Sequence, residues 1–149
     1  MTYVLLATDA DWIRDEVQAA ISSPTMSIGV ISNGKDLISA VKERTPDLVI
    51  TDLQVGNMGG MAITMTLRLE ESGGRLPRIP VLVLLDRRAD LHLARRSAAD
   101  GWLIKPLDPT RIHAAVAAIR AGGTWFEGIE SPSDSAALES DVPAEATAG

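Results

Sequence analysis

The sequence contains no cysteine and few aromatic residues, and both absences limit what the protein can be. Without cysteine, a disulfide framework and thiolate-bound metal sites are excluded. Aromatic residues make up only 3% of the chain, whereas 46% of all residues are hydrophobic, so aliphatic side chains must fill the core. With 149 residues, the chain is long enough for one domain with a substantial core.

Long apolar runs and an excess of basic residues are also missing. No stretch approaches the ~20 apolar residues that span a membrane, and the N-terminal residues lack the basic lead of a signal peptide. We therefore expect a soluble, cytoplasmic protein with no membrane partner. Residues 1–126 carry equal numbers of acidic and basic side chains, so the whole net charge of -6 lies in residues 127–149. Because nucleic-acid binding usually needs a basic surface, we expect no direct binding to nucleic acid.

Strand and helix patterns alternate regularly along the first 126 residues. Short aliphatic runs predict five buried parallel strands at Tyr3–Thr8, Ser27–Ile31, Leu48–Asp52, Val81–Leu85 and Trp102–Ile104. Amphipathic spacing predicts five helices. They are Asp11–Ser22, Gly34–Arg44, one that begins near Gly60 with Met61, Met65 and Leu69 at helical spacing, Ala89–Ala98, and one that begins at Asp108-Pro109 and ends at Gly122-Gly123.

Repeated strand–helix units of this length require right-handed crossovers and a parallel sheet that is covered on both faces. The predicted fold is therefore α/β, a flavodoxin-like doubly wound five-stranded parallel sheet in the order 2-1-3-4-5 with five helices. We assign residues 1–126 to this domain. Residues 127–149 are acidic and rich in Ser, Ala and Pro, and we predict that they are a disordered tail.

Polar side chains stand at the ends of four predicted strands. Asp9 follows the first, Asp52 ends the third, Asp86 follows the fourth and Lys105 follows the fifth. Ligands bind at the carboxyl ends of the strands in a doubly wound sheet. A lone aspartate there is usually a helix cap, but a glycine-rich loop rather than a helix follows Asp52. Together these residues predict an acidic pocket centred on Asp52.

The same residues resemble the receiver domain of two-component response regulators. The resemblance rests on Asp9, Asp52 and Lys105-Pro106 after strands one, three and five, and on Gly60 eight residues after Asp52. The segments Thr45–Leu53 and Ala99–Pro106 are also similar to the family, and the likeness extends over residues 3–121. Each motif is modest alone, and their order and spacing carry the assignment.

The resemblance implies a signalling module rather than an enzyme. Asp52 would accept a phosphoryl group from a histidine kinase or a phosphotransfer protein, and Lys105 would offset the phosphoryl charge. Asp9, Asp52 and the main-chain carbonyl of Gln54 would bind Mg²⁺. The Lys105–Pro106 bond is often cis in this family, which aims the lysine at the pocket.

The resemblance also implies how the signal leaves the pocket. In receivers, a hydroxyl at the end of strand four and an aromatic residue on strand five change the surface formed by helix four, strand five and helix five. We predict a downstream protein partner on that surface, and a homodimer through it is a second candidate. Trp125 and Phe126 either fold back over helix five or anchor a partner.

Three residues depart from the family pattern. Thr8 stands where a second carboxylate is usual, so we expect weaker Mg²⁺ binding. Leu85 replaces the hydroxyl residue that ends strand four, so Trp102 at the aromatic position is either a switch or a fixed packing residue. Asp86 replaces a small residue and has three candidate roles, which are to repel phosphate, to pair with Lys105 or to ligate the metal.

Two other functions compete with the phosphorylated receiver. A phosphorylation-independent pseudo-receiver, acting as a protein-interaction module, fits Thr8, Leu85 and Asp86. An aspartate-nucleophile phosphatase on the same architecture needs an acid two residues after the nucleophile. That position is Gln54, which cannot transfer the proton.

Overall fold

The structure is a computed structural model that describes residues 1–128, without the side chain of Ala89. The strands are β1 Thr2–Ala7, β2 Met26–Ile31, β3 Leu48–Asp52, β4 Val81–Leu85, β5 Gly101–Ile104 and β6 Trp125–Phe126. The helices are α1 Asp11–Ile21, α2 Leu37–Glu43, α3 Gly60–Ser72, α4 Leu91–Ala94 and α5 Pro109–Arg120. Short 3₁₀ turns, Gly34–Asp36 and Arg88–Asp90, precede α2 and α4.

All strands pair in parallel in one sheet, in the order β2-β1-β3-β4-β5-β6. The predicted flavodoxin-like topology is therefore confirmed, but the predicted number of strands is wrong. The sixth strand, β6, lies beside β5, with Trp125 opposite Gly101 and Phe126 opposite Trp102. A strand of two residues has neither the length nor the alternation that reveals a strand in a sequence.

Both faces of the sheet are covered by helices. One apolar cluster packs the sheet against α1 and α5, through residues such as Ile13 and Ile112. The other packs the opposite face against α2, α3 and α4, through residues such as Leu37 and Ile63. Every residue of β3 and β4 is buried. Burial on both sides therefore explains why Leu48–Ile50 of β3 and all five residues of β4 are aliphatic.

The helix α3 presents a different face to the core than its apolar spacing predicts. Ile63, Thr64 and Leu67 are buried, whereas Met65 and Leu69 are exposed. Apolar residues lie on both faces of this helix, so the sequence alone does not select one. The close approach of its first residue, Gly60, to the β3 backbone sets the orientation, because a Cβ there would lie 2.6 Å from the carbonyl oxygen of Asp52.

The helix α4 is much shorter than the predicted Ala89–Ala98. Its amino-terminal turn is 3₁₀, and there the side chain of Asp90 accepts a hydrogen bond from the main-chain N–H of Arg87 at 3.0 Å. At the other end, the Ser97 hydroxyl donates to the carbonyl oxygen of Ala94 at 2.7 Å. A serine hydroxyl that binds a terminal carbonyl competes with continued helix, which accounts for the early end. Among residues 1–128, no helix has the length and apolar content to cross a membrane.

A buried carboxylate joins the amino ends of β4 and β5. Asp100 accepts hydrogen bonds from Arg68 at 2.8 Å, from Arg78 at 2.5 Å and from the main-chain N–H of Val81 at 2.8 Å. Arg68 also donates to the carbonyl oxygen of Ile79 at 2.7 Å. The cluster lies at the end of the sheet opposite the strand ends where the pocket is predicted, so its role is structural.

We predict that Asp100→Asn lowers the free energy of unfolding by about 1.5–3 kcal/mol, because it weakens several charge-assisted hydrogen bonds at a buried site. Urea unfolding followed by circular dichroism measures this change. The matched control is Asp15→Asn on the exposed surface of α1, for which less than ~0.5 kcal/mol is expected. Equal losses in the two variants would contradict the structural role of Asp100.

Candidate functional site

The pocket forms where the carboxyl ends of β1, β3, β4 and β5 meet. Asp52, the last residue of β3, is only 4% exposed. Its Oδ1 accepts a hydrogen bond from the main-chain N–H of Leu53 at 2.9 Å, and its Oδ2 accepts one from the Thr8 hydroxyl at 3.2 Å. A buried carboxylate is stable only with such partners. Thr8 and Asp52, which the sequence analysis assigned to one pocket, are therefore in direct contact.

Lys105 connects Asp52 with Asp86. The Nζ atom of Lys105 lies 2.6 Å from Oδ1 of Asp52 and 2.6 Å from Oδ1 of Asp86. The Asp52 side chain is 6% exposed and the Asp86 side chain 42%, so the lysine bridges a buried and a solvated carboxylate. The Lys105–Pro106 peptide bond is cis, as the resemblance implied. Of the roles considered for Asp86, the structure contains the pairing with Lys105.

The two carboxylates control the protonation of Lys105. Burial lowers the pKa of the lysine, but the hydrogen bonds and the negative charges of Asp52 and Asp86 outweigh this effect and hold its pKa above the ordinary value. The indole ring of Trp12 adds a weaker contact, with its centroid 5.6 Å from Nζ. Lys105 is therefore a fixed positive charge at the mouth of the pocket.

Thr8 also shapes the start of α1. Its hydroxyl accepts a hydrogen bond from the main-chain N–H of Ala10 at 3.1 Å, while Ala10 itself precedes the helix without a capping side chain. Neither Asp9 nor Asp11 makes the cap that is the ordinary explanation for an aspartate at this position. The predicted cap at Asp108 is confirmed, since its side chain accepts from the N–H of Arg111 at 2.9 Å.

Two of the predicted metal ligands, Asp9 and Gln54, are solvent-exposed, unlike the buried Asp52. They lie on the loops that follow β1 and β3. Within residues 1–128, no three or more Asp, Glu or His side chains form a group that could hold a metal ion. Any metal bound there would depend on main-chain oxygens and water in addition to carboxylates.

Leu85 and Trp102 belong to the core rather than to the open pocket. Both are buried in the apolar cluster on the α2–α4 side of the sheet, so the end of β4 offers no hydroxyl to a phosphoryl group. Trp102 is 2% exposed, and its ring centroid lies 4.4 Å from that of Phe126. Its Nε1 donates to the carbonyl oxygen of Glu127 at 2.8 Å. In this structure, Trp102 is held as a packing residue.

The sequence analysis missed Glu127, which it assigned to the disordered tail. The Glu127 carboxylate accepts hydrogen bonds from the main-chain N–H of Ile104 at 2.9 Å and from Nε of Arg111 at 2.8 Å, and it also forms an ion pair with Nη2 of Arg111. Burial raises the pKa of Glu127, but these bonds outweigh it and hold the pKa below its usual value. The folded domain therefore includes Glu127 and Gly128, and residues 129–149 of the predicted tail lie outside the described residues.

The family follows from comparison with known proteins. A model of the response regulator receiver domain matches residues 4–117, and the chain therefore belongs to this family. The chain is similar to the nitrate/nitrite response regulator protein NarL of Escherichia coli, with 31% identity over 121 residues that cover 80% of this chain and 55% of NarL. It is also similar to the transcriptional regulatory protein CseB of Streptomyces avermitilis, with 27% identity over 144 residues that cover 95% of this chain and 57% of CseB. This chain thus spans about half the length of these relatives.

Solved structures agree on the fold. A two-component response regulator of the LuxR family from an Aurantimonas species superposes with a TM-score of 0.71 at 22% identity, covering 95% of this chain and 98% of that one. The receiver domain of a signal transduction histidine kinase from Syntrophus aciditrophicus gives a TM-score of 0.72 at 20% identity, covering 89% of this chain and 99% of that one. These likenesses support the flavodoxin-like receiver fold.

We predict that Lys105→Met destabilises the domain more than Asp86→Asn. Loss of the lysine leaves the buried Asp52 carboxylate without its cation, at a cost of about 1.5–3 kcal/mol. Loss of the half-exposed Asp86 charge costs less than ~1 kcal/mol. Chemical denaturation of both variants measures the difference, and an equal or larger loss for Asp86→Asn would contradict this ranking.

The pH dependence of the Asp86 contribution follows from the raised pKa of Lys105. A raised pKa means that the ion pair contributes fully below the ordinary lysine pKa of about 10.4 and is lost only as the pH rises through the higher value in the folded state. The stability difference between the wild type and Asp86→Asn is therefore expected to be constant between about pH 6 and about pH 9. A difference that disappears within this range would contradict the assignment.

Proposed function

We propose that this receiver domain accepts a phosphoryl group on Asp52 from a histidine kinase or a phosphotransfer protein. The observation that supports this is the position of Asp52, which is buried at the carboxyl end of β3 with Nζ of Lys105 at 2.6 Å. A carboxylate reacts with a phosphoryl group only if the added negative charge is offset. Lys105 supplies one positive charge at the oxygen that would become phosphorylated or at its neighbour.

The transfer is a simple exchange of bonds. A carboxylate oxygen of Asp52 forms a bond to phosphorus while the bond between phosphorus and the donor nitrogen breaks, and the nitrogen takes up a proton from water. The product is an acyl phosphate of about -2 charge in place of a carboxylate of -1, so the pocket gains about one negative charge. The phosphoryl oxygens then compete with Asp86 for the ammonium group of Lys105.

Mg²⁺ is the metal that suits the oxygen donors of this pocket. Asp9, Asp52 and the main-chain carbonyl of Gln54 would hold it, and the bound ion would offset phosphoryl charge. Thr8 contributes a hydroxyl in place of a second carboxylate next to Asp52, to which it lies at 3.2 Å. The proposal therefore includes a weaker Mg²⁺ affinity than a pocket with three acidic side chains would have.

The output of the domain is proposed to pass through protein contacts, in the cytoplasm and without direct binding to nucleic acid. The relatives that are named transcriptional or DNA-binding regulators match this chain over about half of their own length, and the charges of residues 1–126 balance, so this part of the chain has no basic excess for nucleic acid. A downstream protein partner and a homodimer through α4, β5 and α5 both remain predictions. Arg111 on that face is already engaged by Asp108 and Glu127, which reduces the charge available to a second copy.

Phosphoryl transfer is tested directly with Mg²⁺ and phosphoramidate, a small donor that needs no cognate kinase. Intact mass is expected to increase by one phosphoryl group in the wild type and not in Asp52→Asn, and a chelator should abolish the gain. Asp86→Asn serves as a control that changes the same charge in the same pocket but keeps the acceptor. No mass gain in either protein with Asp52 intact, under conditions that modify an ordinary receiver, would refute the proposal.

A phosphorylation-independent pseudo-receiver is the second candidate, and one specific observation favours it. Asp86 already satisfies Lys105 at 2.6 Å, so the pocket has an internal anion where a phosphoryl oxygen would otherwise bind. The buried Leu85 next to it offers no hydroxyl to read a modification. Under this candidate, the unmodified domain binds its protein partner and Asp52 is a structural residue.

Replacement of Asp86 separates the two candidates. If phosphorylation is the function, Asp86→Asn frees Lys105 and is expected to raise the rate of modification by phosphoramidate about three- to tenfold, which corresponds to ~0.7–1.4 kcal/mol. The rate is read from the time course of intact mass. An Asp86→Asn variant that stays unmodified, and a captured partner that binds wild type and Asp52→Asn equally well, would favour the pseudo-receiver.

A further inference from the structure

The segment from Trp125 to Gly128, which we call the strap, covers the outer edge of β5. Its strand β6 pairs in parallel with β5, and the main-chain N–H of Trp125 donates to the carbonyl oxygen of Asp100 at 3.2 Å. Without the strap, β5 would be the edge of the sheet. An uncovered edge strand presents unpaired main-chain groups to which another strand can add.

The surface of β5 beneath the strap, which we call the groove, binds an aromatic side chain of the strap. The ring of Trp102 lies against Phe126 at a centroid distance of 4.4 Å and an interplanar angle of 39°. The same indole donates through Nε1 to the carbonyl oxygen of Glu127 at 2.8 Å. Trp102 thus contacts both the aromatic ring and the main chain of the strap. Tryptophan commonly makes this combination of an apolar and a polar contact at binding surfaces.

The groove also recognises a carboxylate. The main-chain N–H of Ile104 is satisfied by the side chain of Glu127 at 2.9 Å instead of by a neighbouring strand carbonyl. Arg111 binds the same carboxylate through Nε at 2.8 Å and through Nη2. A paired guanidinium contact of this kind is geometrically specific for a carboxylate.

Two glycines make the fit close. A Cβ on Gly101 would lie 2.5 Å from the carbonyl oxygen of Trp125, so β5 admits the strap only because it has no side chain there. Gly128 has a φ of 84° and approaches α4, where a Cβ would lie 2.6 Å from Cδ1 of Leu91. Its carbonyl oxygen accepts a hydrogen bond from Arg88 at 3.0 Å. The strap therefore bridges β5 to α4 and, through Arg111, to α5.

We propose that the edge of β5 is a docking groove for an extended partner segment in which an acidic residue follows an aromatic residue, and that the strap occupies this groove in cis. The groove supplies the ring of Trp102, the N–H of Ile104 and the guanidinium of Arg111. A partner segment with the same chemistry displaces the strap. This proposal rests on the output through protein contacts at α4, β5 and α5 that is proposed above. It does not depend on phosphorylation of Asp52, so its test uses the unmodified protein.

The probe is a synthetic peptide with the sequence of residues 122–128, added to the full chain. The wild type is expected to bind it weakly, because a tethered segment competes at an effective concentration on the order of millimolar. Glu127→Gln loosens the strap and is expected to raise the affinity for the peptide about tenfold or more, as the loss of charge-assisted bonds in cis implies. Binding is read from the nuclear magnetic resonance signals of the Ile104 amide and the Trp102 indole N–H.

Two controls make the test specific. Glu43→Gln removes an exposed carboxylate at the end of α2 and should bind the peptide as weakly as the wild type. A peptide with Gln in place of its Glu should bind Glu127→Gln at least several-fold more weakly than the unchanged peptide does, because it cannot form the carboxylate contacts with Arg111. If Glu127→Gln does not fold, Phe126→Ala, which removes the ring but keeps the carboxylate, replaces it with the same expected gain in affinity.

Two results would overturn the proposal. The first is that the folded Glu127→Gln or Phe126→Ala variant binds the peptide no more tightly than the wild type does, and that the signals of Ile104 and Trp102 do not change. The second is a concentration-dependent dimer of the variant that excess peptide does not dissociate, which would assign the groove to strap exchange between copies of this chain.

Discussion

The burial of both faces of the parallel sheet is the constraint on which the pocket depends. Because α1 and α5 cover one face and α2, α3 and α4 cover the other, the buried strands β3 and β4 carry apolar side chains except at Thr51 and Asp52, near the carboxyl end of β3. Polar groups are confined to the strand ends, where the parallel arrangement brings Asp52, Asp86 and Lys105 together. The site of this receiver domain is in this sense a consequence of how its core is closed.

Within the pocket, charge balance rests on one ammonium group. Lys105 contacts a buried carboxylate and a solvated one at the same distance of 2.6 Å, and the Thr8 hydroxyl completes the shell of Asp52. The neighbouring residue, Ile104, is bound by the carboxylate of Glu127 through its main-chain N–H. The acidic pocket around Asp52 and the segment that covers the edge of β5 thus meet at two consecutive residues, Ile104 and Lys105.

Features with a long or repeated signal were predictable from the sequence. The aliphatic runs of β3 and β4 predicted buried strands, and Asp108-Pro109 predicted the start of α5, where the cap is present. The short helix α4 and the orientation of α3 were not predictable, because they depend on a serine hydroxyl bound to a helix end and on the contact of Gly60 with the β3 backbone. Local propensity carries no information on such contacts.

The sequence by itself determined the order of the first five strands and the polar residues at their ends, because strand–helix alternation and polar residues at strand ends are local patterns. Only the tertiary structure decided which partner each charge takes. Asp86 pairs with Lys105, and Glu127, which the sequence analysis assigned to the tail, binds Arg111. Neither pairing is visible in the sequence, because segments distant along the chain meet only in the folded protein. The packing role of Trp102 also depends on tertiary contacts. Its partners are Phe126, on the strand β6 that the sequence did not predict, and Glu127, which follows that strand.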